Sequence, residues 1–211
     1  MNPELQEYIE QHIDPHPDHL YQIERATNLR LLNGRMCSGH LQGRILKMLT
    51  HMIKPRRVLE LGTFSGYSAL CIAEALTDEA TIDTIEVDDE LEDFIRRNLA
   101  LSPFGRKINL HIGDATEIIK SWPSESFDLI FVDADKRKYS EYYLHCIALL
   151  RPGGFLFADN TLWDGHVVEP EKFSDPQTKG IRDFNDMVKD DTNVEKVILP
   201  IRDGLTLIRK I

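Results

Sequence analysis

Apolar positions along the chain follow two patterns. Short continuous apolar runs stand after breakers, and between them lie stretches with apolar residues three and four apart. The first pattern reads as strands covered on both faces, the second as helices that bury one side. Strands are predicted at 58–61, after Pro55, and at 80–87, 108–112, 127–132 and 155–158. Helices are predicted at 2–12, opened by Asn2-Pro3, at 18–31 with Asp18 as cap, and at 38–53 with Ser38 as cap. In the third of these, Leu41, Ile45, Leu49 and Met52 form the inward stripe, with Met36 beside it as core filler. Further helices are expected at 67–76, at 89–101 behind an Asp88 or Asp89 cap, from 115 to 122, at 139–150 and at 178–189. Arg151-Pro152-Gly153-Gly154 reads as a turn, and 161–177 as a long irregular stretch. Two closing runs, 194–201 and 205–211, are joined by Arg202-Asp203-Gly204, whose Asp-Gly turn predicts an antiparallel hairpin.

Strands alternating with helices specify an α/β fold, an open and mainly parallel sheet with helices on both faces. The length of 211 residues, 42% of them hydrophobic, fits a single domain over 1–211 with a sizeable core. A formal charge of −10 disfavours broad binding to a nucleic-acid backbone. Cys37, Cys71 and Cys146 are odd in number, far apart and set in apolar patterns, which points to core packing in a reducing compartment. With no apolar run of membrane-spanning length and no signal-peptide pattern at the start, a cytoplasmic location is expected. His12, His16 and His19 lie around two prolines without further ligands, so they read as a surface turn rather than a metal site.

In such sheets ligands gather at the carboxyl ends of the strands, where Gly62, Glu86, Asp114, Asp133, Asp159 and Asn160 all fall. The stretch 58–70, VLELGTFSGYSAL, is a strand, a tight glycine turn and a helix start. Phe64 occupies a position where a dinucleotide fingerprint needs glycine, so a nicotinamide dehydrogenase is disfavoured and a nucleoside without a pyrophosphate fits better. Glu86 ends the next strand, at the offset from which a carboxylate accepts two ribose hydroxyls. Asp133, Asp159 and Asn160 are hard oxygen donors that suit Mg²⁺, or Ca²⁺ or Mn²⁺, if their two strands are neighbours. Lys136 stands on the same rim, where a bound cation would favour its neutral form and make it a base.

These residues carry a resemblance. RMCSGHLQGR, VLELGTFSGYSAL, TIEVD, GDA, FVDADKRKY, LLRPGGFLFADNTLWDG, KGIRDFN and LPIRDGLTLIRK together resemble the cation-dependent O-methyltransferases that use S-adenosylmethionine, among them the catechol and caffeoyl-CoA enzymes. The resemblance implies a Rossmann-like, seven-stranded, mostly parallel sheet with an antiparallel last strand, and commonly a homodimer. It implies that Ser38, Glu60, Gly62, Thr63 and Ser68 line the methionine end of the cofactor, that Glu86 binds the ribose, and that Asp114 and Ala115 flank the adenine. Asp133, Asp159 and Asn160 would hold the divalent cation, with Asp133 also facing the cofactor. Lys136 would be the general base, and Trp163 and Asp164 would border the acceptor together with Lys136 and Asn160. The N-terminal segment 1–33 would help to shape the acceptor pocket.

The acceptor implied is a small phenolic vicinal diol. Plant-type relatives carry an arginine that helps to hold a CoA tail, in a stretch that reads DDTNVE here, with Asn193 at the arginine position. Two alternatives stay open. One is methylation of a hydroxylated uridine in tRNA by the same metal site, with Arg25, Arg30, Arg35 and Arg44 as a local basic patch. The other is a nucleoside-binding protein without catalysis, which Lys136 beside a metal set argues against.

Overall fold

The computed structural model describes residues 3–211, so the expected Asn2 cap lies outside the described residues. Three helices precede the first strand: α1 (Pro3–His12), α2 (Asp18–Arg30) and α3 (Gly39–Ile53). Then follow β1 (Arg57–Leu61), α4 (Tyr67–Ala73), β2 (Thr81–Glu86), α5 (Glu92–Ala100), β3 (Ile108–Ile112), α6 (Ala115–Ile119), β4 (Phe127–Val132) and α7 (Tyr139–Leu149). The chain closes with β5 (Leu150–Asp159), α8 (Pro176–Asp190), β6 (Val194–Leu199) and β7 (Leu205–Lys210).

The strands form one seven-stranded sheet in the order β3-β2-β1-β4-β5-β7-β6. Neighbours from β3 to β5 are parallel, whereas β7 runs antiparallel to both β5 and β6. Alternation along the strands divides the core in two. Val58, Ile82, Leu129, Phe131 and Phe157 pack with Leu20 and Ile23 of α2, Leu46 of α3, and α4 and α5 on one face. Leu59, Leu61, Ile130, Val132 and Leu156 pack with α6, α7 and α8 on the other. Because β4 and β5 are neighbours, the ends that carry Asp133 and Asp159 lie side by side.

Local differences from the sequence reading have physical causes. Arg151–Gly154 is not a free turn. Strand β5 begins at Leu150 opposite Phe127, and the next β4 pair joins Leu129 to Phe155, so the four residues are absorbed as a bulge with Gly153 at φ 77°. Helix α3 is turned part-way from its predicted face: Ile45 and Leu49 still pack against the core, but the deeply buried positions are others. Gln42, Gly43, Arg44, Leu46 and Thr50 are buried, while Met52 is 72% exposed and Met36 is 54% exposed rather than core filler. Gly43 permits the rotation, because it lies directly on Cys71 and Tyr67 of α4. Asp18 is the first residue of α2 and Pro17 occupies the cap position, whereas Ser38 holds the α3 cap position without a capping side-chain bond. Helix α4 stops at Ala73, and Ala75 and Leu76 tighten into three-residue turns that bury Leu76. Asp88 caps a short 3₁₀ turn before α5, and Asp175 caps α8 two residues earlier than predicted. The closing hairpin turns through residues 200–204, two residues longer than the expected Arg202–Gly204 link. Cys37, Cys71 and Cys146 are free and buried. No helix among the described residues is long and apolar enough to cross a membrane.

Candidate active site

The carboxyl ends of β1, β2, β4 and β5 open into a cleft of about 1900 Å³. Its corner is Gly62, at φ 93°, where a Cβ would run into the Asp133 carbonyl. Gly62 N–H donates to Ile85 O at 3.0 Å and Asp133 N–H to Leu61 O at 2.9 Å, which ties three strand ends together. The next turn aims Glu86. Phe64 N–H donates to its Oε2 at 2.7 Å and Asp88 N–H to its Oε1 at 3.0 Å. With one backbone donor on each oxygen, the carboxylate is fixed and keeps lone pairs for further hydroxyl donors. Asp114 caps α6 through Thr116 and pairs with Lys138 at 2.9 Å; the Thr116 hydroxyl, then Lys138, hold its carboxyl well below the usual range. Ala115 follows it on the cleft wall.

Glu60 stands elsewhere than the resemblance implies. It has no solvent exposure and lies behind the cleft wall, where Ser68 Oγ donates to it at 2.6 Å and Thr84 Oγ1 at 2.5 Å. Thr63 Oγ1 continues the chain at 2.6 Å from Thr84 Oγ1. Burial pushes the Glu60 carboxyl up to about 8, against the pull of the two hydroxyl donors and with the help of Asp133 and Glu86. Thr63, Ser68 and Ser38 do line the cleft, and Glu60 is linked to that lining through Ser68 directly and through Thr84 to Thr63.

The second half of the site joins Asp133, Lys136, Tyr139, Asp159 and Asn160. Lys136 Nζ donates to Asp133 Oδ1 at 2.8 Å and to the Tyr139 hydroxyl at 2.6 Å. Tyr139 is fully buried, and its hydroxyl donates toward Asp159 O at 2.9 Å. Asp159 is 3% exposed; its Oδ1 accepts Asn160 N–H at 2.9 Å and its Oδ2 accepts Gln42 Nε2 at 2.6 Å. Burial first, and the Asp133 charge second, raise the Asp159 carboxyl to about 6, with Lys136 opposing. Asn160 sits at φ 58°, a left-handed conformation that asparagine adopts more readily than most residues. Two carboxylates and an amide around one lysine leave a net negative mouth of hard oxygens, which fits a divalent cation in chemistry and charge. Among the described residues no three His, Cys, Asp or Glu side chains form a group that could hold a metal ion, so a cation here would need the amide of Asn160 as well.

Trp163 and Asp164 follow on a kinked 3₁₀ segment with φ of 48° and 51°, and Asp164 N–H donates to Asp203 on the hairpin turn. His16 stacks on His40 and bonds the Tyr67 hydroxyl at 2.9 Å, whereas His12 bonds Tyr8 O, so the three N-terminal histidines form no common centre. Sequence reasoning missed Tyr139, Gln42 and Thr84. Tyr139 was visible as a hydroxyl one turn beyond Lys136. Gln42 and Thr84 meet their partners only through the tertiary fold.

A family model described as O-methyltransferase matches residues 10–211. The chain is 31% identical over 214 residues to the "Probable caffeoyl-CoA O-methyltransferase 2" of Dictyostelium discoideum, covering 100% of this chain and 93% of that protein. It is 34% identical over 174 residues to the catechol O-methyltransferase of Niastella koreensis, covering 79% and 78%. Among solved structures, it superposes with TM-score 0.90 at 27% identity on an O-methyltransferase of tomaymycin synthesis from Streptomyces achromogenes in complex with SAM, covering 100% and 99%. An SAH-bound methyltransferase from Podospora anserina gives TM-score 0.90 at 29% identity, covering 100% and 97%.

Proposed function

The chain belongs to the O-methyltransferase family, and from that premise we propose that it transfers a methyl group from S-adenosylmethionine to one hydroxyl of a small vicinal diol, assisted by a divalent cation. The observation that carries this reading is the meeting of Lys136, Asp133 and Asp159 at one mouth, beside the glycine corner that aims Glu86. Glu86 takes the ribose hydroxyls, Asp114 and Ala115 border the base, and Ser38, Gly62, Thr63 and Ser68 border the methionine end. The SAM named with the Streptomyces relative and the SAH named with the Podospora relative support that assignment.

Asp133, Asp159 and Asn160 would hold the cation, which when bound supplies a positive charge that acidifies an acceptor hydroxyl. Lys136 would take the proton of that hydroxyl at Nζ as the free amine, becoming the ammonium that Asp133 and Tyr139 then steady. Asp133 reaches both halves of the cleft, because its backbone closes the Gly62 corner while its side chain meets Lys136. Trp163 borders the acceptor and excludes water from the step in which opposite charges cancel. A free phenol suits the acceptor end better than a CoA ester. Asn193 carries no charge, and its amide is bonded to Asp191 Oδ1 at 3.1 Å at the end of α8.

The test is calorimetric titration of S-adenosylmethionine, then methyl transfer to a panel of catechols with Mg²⁺ and with EDTA. Expected are cofactor binding in both conditions and transfer only with the cation. In the same assay Lys136→Met lowers kcat by about 10² to 10⁴-fold, the usual contribution of a general base, with cofactor affinity unchanged. Transfer in EDTA at the full rate rejects the cation. Cofactor binding without transfer to any small diol, joined to salt-sensitive tRNA binding, moves the acceptor to RNA.

A further inference from the structure

Gln42 is a polar side chain in the interior of α3, only 2% exposed. Burying an amide there is costly unless both of its ends are bonded. Both are: Nε2 donates to Asp159 Oδ2 at 2.6 Å, and Oε1 accepts from Arg202 Nη1 at 3.1 Å. The orientation of this amide is not arbitrary. A guanidinium only donates and an ionised carboxylate only accepts, so the flipped amide would face like against like at both ends. Arg202 is itself held, since Nη1 also donates to Cys37 O at 3.2 Å and to Ser38 O. Its backbone lies at φ 49° on the hairpin turn, and that turn is tied to the segment after β5 by Thr161 N–H to Gly204 O at 3.2 Å and Leu162 N–H to Asp203 O at 2.9 Å.

We propose that Gln42 is the positioning residue of the metal centre, with Arg202 setting its amide so that the Asp159 side chain is held in one rotation, turned toward the cation. The inference rests on the cation reading of Asp133, Asp159 and Asn160. The physical need is specific. Asp159 is almost fully buried, and the hydrogen bond donated to its Oδ2 by Gln42 fixes the rotation of the side chain without adding a second positive charge to compete for the cation. The pair also couples the end of β5 to the start of α3, where Ser38 lines the cleft. The cation end and the cofactor end are thereby braced by the same guanidinium.

The test uses the purified full chain and Mn²⁺ alone, followed by electron paramagnetic resonance, for wild type, Gln42→Met and Arg202→Met. Thermal unfolding and calorimetry with S-adenosylmethionine report on folding and on the cofactor end. Removal of an outer partner of a metal ligand typically weakens binding by about 10 to 100-fold. Gln42→Met is expected to show that loss for Mn²⁺ with cofactor affinity kept, and Arg202→Met a smaller loss of the same sign. In turnover, Gln42→Met is expected to be defective at limiting Mg²⁺ and to recover kcat as Mg²⁺ is raised. Wild-type Mn²⁺ affinity in the folded variants overturns the inference, as does a loss of kcat that no Mg²⁺ concentration reverses and that tracks the melting temperature. Should Gln42→Met fail to fold, Arg202→Met decides alone, weakened Mn²⁺ binding supporting the role and unchanged binding rejecting it. Wild-type protein that binds no Mn²⁺ sinks the cation reading itself and takes this inference with it, an outcome distinct from equal binding by wild type and variants.

Discussion

A carboxyl group with no solvent exposure and two hydroxyl donors stands directly behind the cleft wall. Glu60 is raised from 4.5 to about 8 by burial, so the native state keeps its proton across the range in which the unfolded chain has lost it. The sign follows from proton counts. Between about pH 4.5 and 8 the native state binds more protons than the unfolded state, and stability falls as pH rises. The stabilisation is complete below the unfolded value and is lost as pH climbs to the folded one. Glu60→Gln fixes the neutral form and removes this dependence. Urea unfolding of the metal-free protein across that window is expected to show wild type losing ground to the variant by up to about 1.4 kcal/mol per pH unit, then running parallel above it. A constant difference across the window would mean that Glu60 is ionised in the native protein, with Ser68 and Thr84 stabilising the charge.

Among the elements, α8 is the one that seats the turn carrying Lys136. Gly180, inside α8, lies against the backbone of Lys136 and Arg137, and an added Cβ would run into the Lys136 carbonyl. Alanine in place of an interior helix glycine ordinarily stabilises by about 0.5–1 kcal/mol. Here the overpacking, about 1–3 kcal/mol, outweighs that gain and displaces Lys136 from Asp133 and Tyr139. Gly180→Ala is therefore expected to lower both the urea midpoint and kcat, and a variant that is more stable with unchanged kcat would refute the seating. The same element shows what the sequence could and could not reveal. The strand ends were legible because β1, β2, β4 and the second half of β5 are largely buried on both faces and interrupt a polar chain, which put Glu86, Asp133 and Asp159 at one edge before any coordinates. Gly180 was illegible, because its reason is a neighbour more than forty residues away. The rotation of α3 was hidden in the same way. Leu41, Ile45, Leu49 and Met52 carry the stronger hydrophobic signal, yet close packing at Gly43 turns Gln42 and Arg44 inward. Propensity reads a helix; only its contacts choose which face is buried.

For the molecule as a whole, the topology separates a supporting body from a helix that only lines the cleft. The sheet and the helices from α2 onward share the two cores, and α2 itself contributes Leu20, Ile23 and Thr27 at 0% exposure. Helix α1 differs: from Glu4 to His12 none of its residues is buried, yet Gln6, Glu7 and Glu10 line the cleft. A chain with net charge −10 that adds two glutamates at this wall disfavours an anionic acceptor at the entrance. Removal of residues 2–13 leaves in place Asp14, whose carbonyl bonds His40 at 2.8 Å, and His16, which bonds Tyr67, so α2 stays docked. The truncated protein is expected to melt close to wild type and to bind S-adenosylmethionine equally well. Its KM for a neutral catechol should rise, a tenfold rise corresponding to about 1.4 kcal/mol of lost acceptor contact, while kcat is kept. For an acceptor bearing a carboxylate the rise should be smaller, because the deletion removes repelling charge along with contact. Steady-state kinetics on the two acceptors, with calorimetry on the cofactor, separate the outcomes: loss of cofactor binding would make α1 part of the supporting body, and equal changes for both acceptors would remove charge from the account of how the acceptor is chosen.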